Sequence, residues 1–168
     1  MPCKNGTRES MEAAKLYYRT ERELDKTCSF RKLWRELVHA VQNTDLGYAG
    51  LSDAEKKYFA VRLLVGEVYN GGFDQYFHNS SSDYYFNAEI GLEEMGAVQS
   101  LSLLSQAKQI VFGVASVPES TQQRREILLQ RDYDSYADQL SALDDLFYED
   151  PDGLNERMEA FARKHALV

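Results

Sequence analysis

The side chains best suited to chemistry in this chain fall within one short stretch, Glu67-Val68-Tyr69-Asn70-Gly71-Gly72-Phe73-Asp74-Gln75-Tyr76-Phe77-His78-Asn79-Ser80-Ser81. Asp74 and His78 stand one helical turn apart, so both can face one ligand. With Glu67 held in apolar surroundings and its pKa raised, the three would supply a general acid and a general base. Two ligands at that spacing with no third beside them do not make a zinc site, and no metal is assigned. The competing reading is structural. Phe73, Tyr76 and Phe77 share a helical face and would plug a core beneath the Gly71-Gly72 turn. Glu67, Asn70, Gln75 and Asn79 would then satisfy backbone groups left open where helices end. The structural reading is preferred, and no catalytic residue is assigned. His39 and His165 have no local partner in the sequence. No phosphate-cradling loop, nucleophile elbow or Cys/His set appears, so no cofactor is expected.

A second constellation is electrostatic. Asp132, Asp134, Asp138, Asp144, Asp145, Glu149, Asp150, Asp152, Glu156 and Glu159 follow one another with only Arg131 and Arg157 near them. Tyr133, Tyr136, Leu140, Leu143 and Phe147 repeat in steps of three and four, predicting one amphipathic helix. Asp134, Asp138 and Asp145 then point outward, with Asp144 beside them. Four helical residues rise about 6 Å, and one DNA strand advances about 3.4 Å per phosphate. Such a row can meet the lysines and arginines of a DNA-binding partner. Asp134, Asp138, Asp144, Asp145, Glu149, Asp150 and Asp152 are therefore the candidate partner-binding residues. A solvated face kept acidic for solubility is the alternative.

Helices must position both constellations. Leu33, Trp34, Leu37, Val38 and Val41 predict a helix over 30–41. Ser52-Asp53-Ala54-Glu55 is a capping box that opens a helix to about Tyr69. This helix should be the most buried, because beyond Tyr58 only Arg62 and Glu67 are charged. Asn70-Gly71-Gly72 ends it, and Phe73–Phe77 forms a short turn. Asp83 is expected to cap a helix through Met95, Gly96 to break it, and Leu101, Leu104, Ala107 and Val111 to mark the next. Pro118 is expected at the first position of a short helix reaching about Gln130. After the acidic helix and an Asp150-Pro151-Asp152-Gly153 turn, Leu154, Met158, Phe161 and Ala162 predict a last helix. The fold expected is all-α, a single-domain compact bundle of seven or eight helices over residues 30–168. Residues 1–29 would be an N-terminal extension or docking helix.

The charge is unevenly spread. Residues 1–84 carry 12 Lys/Arg and 12 Asp/Glu, whereas residues 85–168 carry 7 and 15, so the whole net charge of −8 lies in the second half. Direct nucleic-acid binding needs a basic face and is not expected. There is no membrane-length apolar run and no secretory signal. Cys3 and Cys28 are too few for a disulfide framework. A cytoplasmic setting is expected.

The Asn70-Gly71-Gly72-Phe73-Asp74-Gln75-Tyr76-Phe77-His78-Asn79-Ser80-Ser81 run, with Asp83 soon after, resembles the motif of the bacterial DNA mimic protein 19 family. Ser82 stands where the motif has glycine. The resemblance implies an all-helical fold, a homodimer and no cofactor. It also implies an acidic surface that imitates duplex DNA and occupies the DNA-binding face of a transcription regulator. Three functions follow as candidates. The first is an acidic module that binds a basic protein, either a DNA-binding regulator or a nuclease neutralised by an immunity or antitoxin-type inhibitor. The second is a small enzyme using Glu67, Asp74 and His78, and the third a helical adaptor working through its tyrosine-rich surface.

Overall fold

A computed structural model describes residues 28–168 together with 13, 15–17, 19, 20, 23 and 27. The N-terminal extension expected over residues 1–29 therefore lies largely outside the described residues. Seven α-helices are described: α1 (Ser29–Asn43), α2 (Asp53–His78), α3 (Tyr85–Glu94), α4 (Val98–Phe112), α5 (Thr121–Leu129), α6 (Ala137–Tyr148) and α7 (Leu154–Lys164). Short 3₁₀ turns occupy Gly47–Gly50, Ser80–Tyr84 and Tyr133–Ser135. Among the described residues there is no strand, and the helices form one domain.

α2 is the axis on which the others pack. The expected capping box is present: Ser52 Oγ accepts from the Glu55 amide, and Glu55 Oε2 accepts from the Ser52 amide at 2.8 Å. Ala60, Val61, Leu64 and Val68 are wholly buried, as the apolar run predicts. α1, α3, α5, α6 and α7 all touch α2, while α4 lies against α3 and α6. Aromatic rings lock these contacts. Trp34 of α1 stacks on Phe59 at 5.2 Å, Phe147 of α6 meets Phe73 edge-on at 5.5 Å, and Phe112 of α4 meets Phe77 edge-on at 5.1 Å. Ring contacts of this kind add to the hydrophobic term of burial.

Several expected helix starts are displaced. Pro118 does not begin α5; Ser120 is its cap, accepting from the Gln123 amide, and Pro118 instead offers its carbonyl to Arg124. Asp83 does not cap α3, which starts at Tyr85 without a side-chain cap. The Asp83 carboxylate is already occupied by Arg124 and Thr121. The acidic helix starts at Ala137 rather than Tyr133, because residues 133–135 form a 3₁₀ turn. Tyr133 is exposed and only meets the Tyr136 ring edge-on at 5.4 Å, so the inward stripe expected from Tyr133 begins at the buried Tyr136.

Candidate functional site

α2 does not run straight through the motif. At Gly71 (φ −163°, ψ 25°) and Gly72 (φ 76°, ψ −179°) the backbone leaves helical geometry, and helix resumes at Phe73. Asp144 of α6 caps this new start: its Oδ1 accepts from the Phe73 amide at 2.8 Å. A Cβ at position 72 would lie 2.3 Å from Asp144 Oδ2. Glycine alone accommodates both the positive φ and the carboxylate. Burial pushes the Asp144 carboxyl up; the Phe73 bond opposes this, while the charges of Asp145 and Asp74 reinforce it.

Glu67 gathers the other side of the break. Its Oε1 accepts from Ser81 Oγ at 2.6 Å, and its Oε2 accepts from Gln75 at 2.7 Å and from Asn79 at 2.9 Å. Burial alone would raise its pKa, but these three hydrogen bonds outweigh burial and hold the carboxyl below its ordinary range. The raised pKa that the catalytic alternative required of Glu67 is not found. A carboxylate with three donors is stabilised as the anion and is poorly suited to give up a proton it does not hold.

The C-terminal end of α2 is closed by Arg124, whose side chain is fully buried. Its guanidinium donates to the carbonyls of Phe77 (3.1 Å), Pro118 (2.7 Å), Glu119 (2.9 Å) and Asn79 (2.8 Å), and to Asp83 Oδ1 at 2.6 Å. Arg125 adds a bond to the His78 carbonyl at 2.8 Å. A cation at a helix C-terminus also opposes the negative end of the helix dipole. Ser82 is buried in the adjoining turn and bonds to the Asn79 carbonyl at 3.1 Å. Arg124 was missed in the sequence. It lies one turn before the buried Leu128, on the inward face of α5, and a cation at an inward position is the signal that could have revealed it.

Glu67 makes no hydrogen bond or ion pair with Asp74 or His78 among the described residues. Glu67 lines a surface depression with Trp34, Arg62, Leu63, Gly66 and Asn70, which neither Asp74 nor His78 enters. Asp74 and His78 do meet: His78 Nδ1 lies 3.3 Å from Asp74 Oδ2 and 3.0 Å from the Asp74 carbonyl oxygen. Among the described residues no group of three His, Cys, Asp or Glu could hold a metal ion.

The acids of the second half divide into two sets. Asp134, Asp138, Asp145 and Glu149 are exposed, and none has an ion-pair or side-chain hydrogen-bond partner among the described residues. Asp144, Asp150 and Asp152 turn inward instead. Asp150 Oδ1 accepts from the Leu154 amide at 2.8 Å, starting α7, and Asp152 Oδ2 accepts from the Ser100 amide at 2.6 Å, fastening α4. The expectation that Asp144 stands on the outward row is thus corrected. Its helix turns it toward α2, where an uncapped amide awaits an acceptor.

The model of the family described as DMP19-like protein matches residues 49–165. The chain belongs to the DMP19-like family. No curated protein and no solved structure matches it. The match spans α2 to α7, so the Gly71-Gly72 break, both polar hubs and the exposed acids all lie inside the DMP19-like region, and α1 lies outside it. The hubs around Glu67 and Arg124 hold the helices of this region together.

Proposed function

We propose that this protein is an acidic binding module that occupies the DNA-binding face of a transcription regulator or another basic protein. The observation that carries this reading is the outward stripe of α6. Asp138, Asp145 and Glu149 recur at intervals of seven and four residues, on one side of the helix. They stand about 10 and 6 Å apart along it, comparable to two or three phosphate steps of a DNA strand. All three are exposed and carry no partner within the described residues. Asp134, just before the helix, is exposed as well. Membership of a family described as DMP19-like supports the same reading. The enzyme alternative loses support from Glu67, whose carboxylate is held as an anion by three hydrogen bonds and is bonded to neither Asp74 nor His78.

The test is recovery of partners from the native cell at low and high salt, followed by binding kinetics with the recovered protein. A basic DNA-binding protein held only at low salt, and displaced by duplex DNA, is the expected result. A partner that binds equally at both salt concentrations and together with DNA would sink the reading.

A further inference from the structure

Resting on the acidic-binding reading above, we propose that the exposed rings of Tyr69, Tyr133 and Tyr148 receive arginine side chains of the partner, so that this surface selects guanidinium over ammonium. The three rings are large side chains left in contact with solvent: Tyr69 and Tyr133 are each 47% exposed and Tyr148 is 41% exposed. Tyr69 of α2 and Tyr148 of α6 lie beside each other, with ring centroids 5.6 Å apart. Tyr133 stands in the 3₁₀ turn before α6.

Each ring is bordered by carboxylates. Burial and the charges of Asp74, Asp144 and Asp134 push the Tyr133 hydroxyl up. Burial with Asp144 and Asp145 does the same at Tyr148, and burial with Asp150 at Tyr69. Asp144 therefore acts on both Tyr133 and Tyr148 and joins the two ends of the surface. A ring face beside a carboxylate suits a guanidinium, which stacks on the face and donates to the acid from its own plane. An ammonium is a compact, strongly hydrated charge and gains less from the face.

The chain supplies its own example. The Arg131 guanidinium lies over the Tyr136 ring, 5.3 Å from its centroid, and Tyr136 is the ring that Tyr133 meets edge-on. The buried member of this tyrosine pair thus holds an arginine already, while the other member faces solvent. No internal base competes for the exposed rings. Of the seven bases in residues 85–168, Lys108, Arg124, Arg125, Arg131 and Arg157 donate to backbone carbonyls, and Arg163 pairs with Glu159. Among the described residues no lysine or arginine forms an ion pair with Asp134, Asp144, Asp145 or Asp150. The bases of this half close helix ends, and the complement to its tyrosine-lined acids is left for a partner to supply.

Two peptides of identical length and charge, one with arginine and one with lysine at every cationic position, are titrated against the full chain by fluorescence anisotropy at low and high salt. The arginine peptide is expected to bind more tightly by about threefold or more. Replacing Tyr69, Tyr133 and Tyr148 together by leucine should bring that ratio close to one, whereas phenylalanine at the same positions should keep it. Tyr133→Leu alone should remove part of the preference with Tm unchanged, since its ring contact is confined to Tyr136. Equal affinity of the wild type for both peptides, weakened alike by salt, would overturn this inference and leave the acidic-binding reading standing. Failure of both peptides to bind, or binding indifferent to salt, would overturn the two together. An arginine preference that survives the triple leucine variant would overturn the assignment to these rings.

Discussion

At the scale of single residues, Gly72 and Asp144 form one unit, because the carboxylate occupies the space a side chain at 72 would need. Gly72→Ala should cost about 1–3 kcal/mol from the positive-φ backbone alone, with a further loss from displacing Asp144. In a double-mutant cycle with Asp144→Ala, the two losses should be less than additive by equilibrium denaturation; strict additivity would separate them. Gly71 differs. Its φ of −163° is open to any residue, so a Gly71→Ala effect would come from the Gln75 amide oxygen, 2.2 Å from the new Cβ. The same neighbourhood sets a pH response. The folded pKa of Asp144 is raised, so the folded state gains stability as pH falls through that pKa and the carboxyl takes up its proton. The folded pKa of Glu67 is lowered, so its stabilisation is complete above the ordinary value of 4.5 and fades as pH falls through the folded one. Asp152, also lowered, adds to that later loss. Tm followed from pH 7 to 3 should carry an early stabilising component that Asp144→Asn removes. Glu67→Gln should diminish the later decline.

At the scale of elements, the ends of α2 are set by groups from elsewhere in the chain. Arg124 closes the end at Phe77–Asn79, and Arg124→Met would take one donor from each of four carbonyls and the charge partner from the Asp83 carboxylate. A loss of about 3–5 kcal/mol is expected in denaturant unfolding, the usual cost of removing one partner from a buried ion pair. Arg124→Lys should recover little, since an ammonium cannot reproduce the planar fork. This contrast explains what could be read beforehand. The capping box at Ser52, the buried run from Tyr58 and the break at Gly71-Gly72 are local signals, and each stands where the sequence puts it. Asp83, Asp144, Asp150 and Asp152 look like surface acids or local caps in sequence. Their roles depend on which amide or guanidinium the packed helices bring to them. The candidate site was legible as a motif, but its hubs were not, because Ser81, Arg124 and Asp144 enter from turns and helices whose placement the motif does not encode.

At the scale of the whole molecule, the acids that fasten helices are distinct from those left facing solvent. Replacing Asp134, Asp138 and Asp145 together by asparagine should leave Tm unchanged or slightly raised, because no described contact is lost. If α6 faces a basic partner, that variant should associate several-fold more slowly at low salt, and the difference should shrink as screening shortens to about 8 Å at physiological ionic strength. Equal association rates at both salts would leave the stripe as solvated surface. The bond from Phe73 to Asp144 joins positions 71 residues apart, and that from Ser100 to Asp152 joins positions 52 apart. Helical turns form in well under a millisecond, whereas contacts so distant in the chain wait for large loops to close. We expect the Asp144 bond to form after the rate-limiting barrier, so that removing it leaves the refolding arm of a chevron in place and steepens only the loss of native protein with time. An Asp144→Ala chain that refolds at the wild-type rate yet unfolds faster would identify this carboxylate as a latch on native lifetime. Slowed refolding would place it in the folding nucleus.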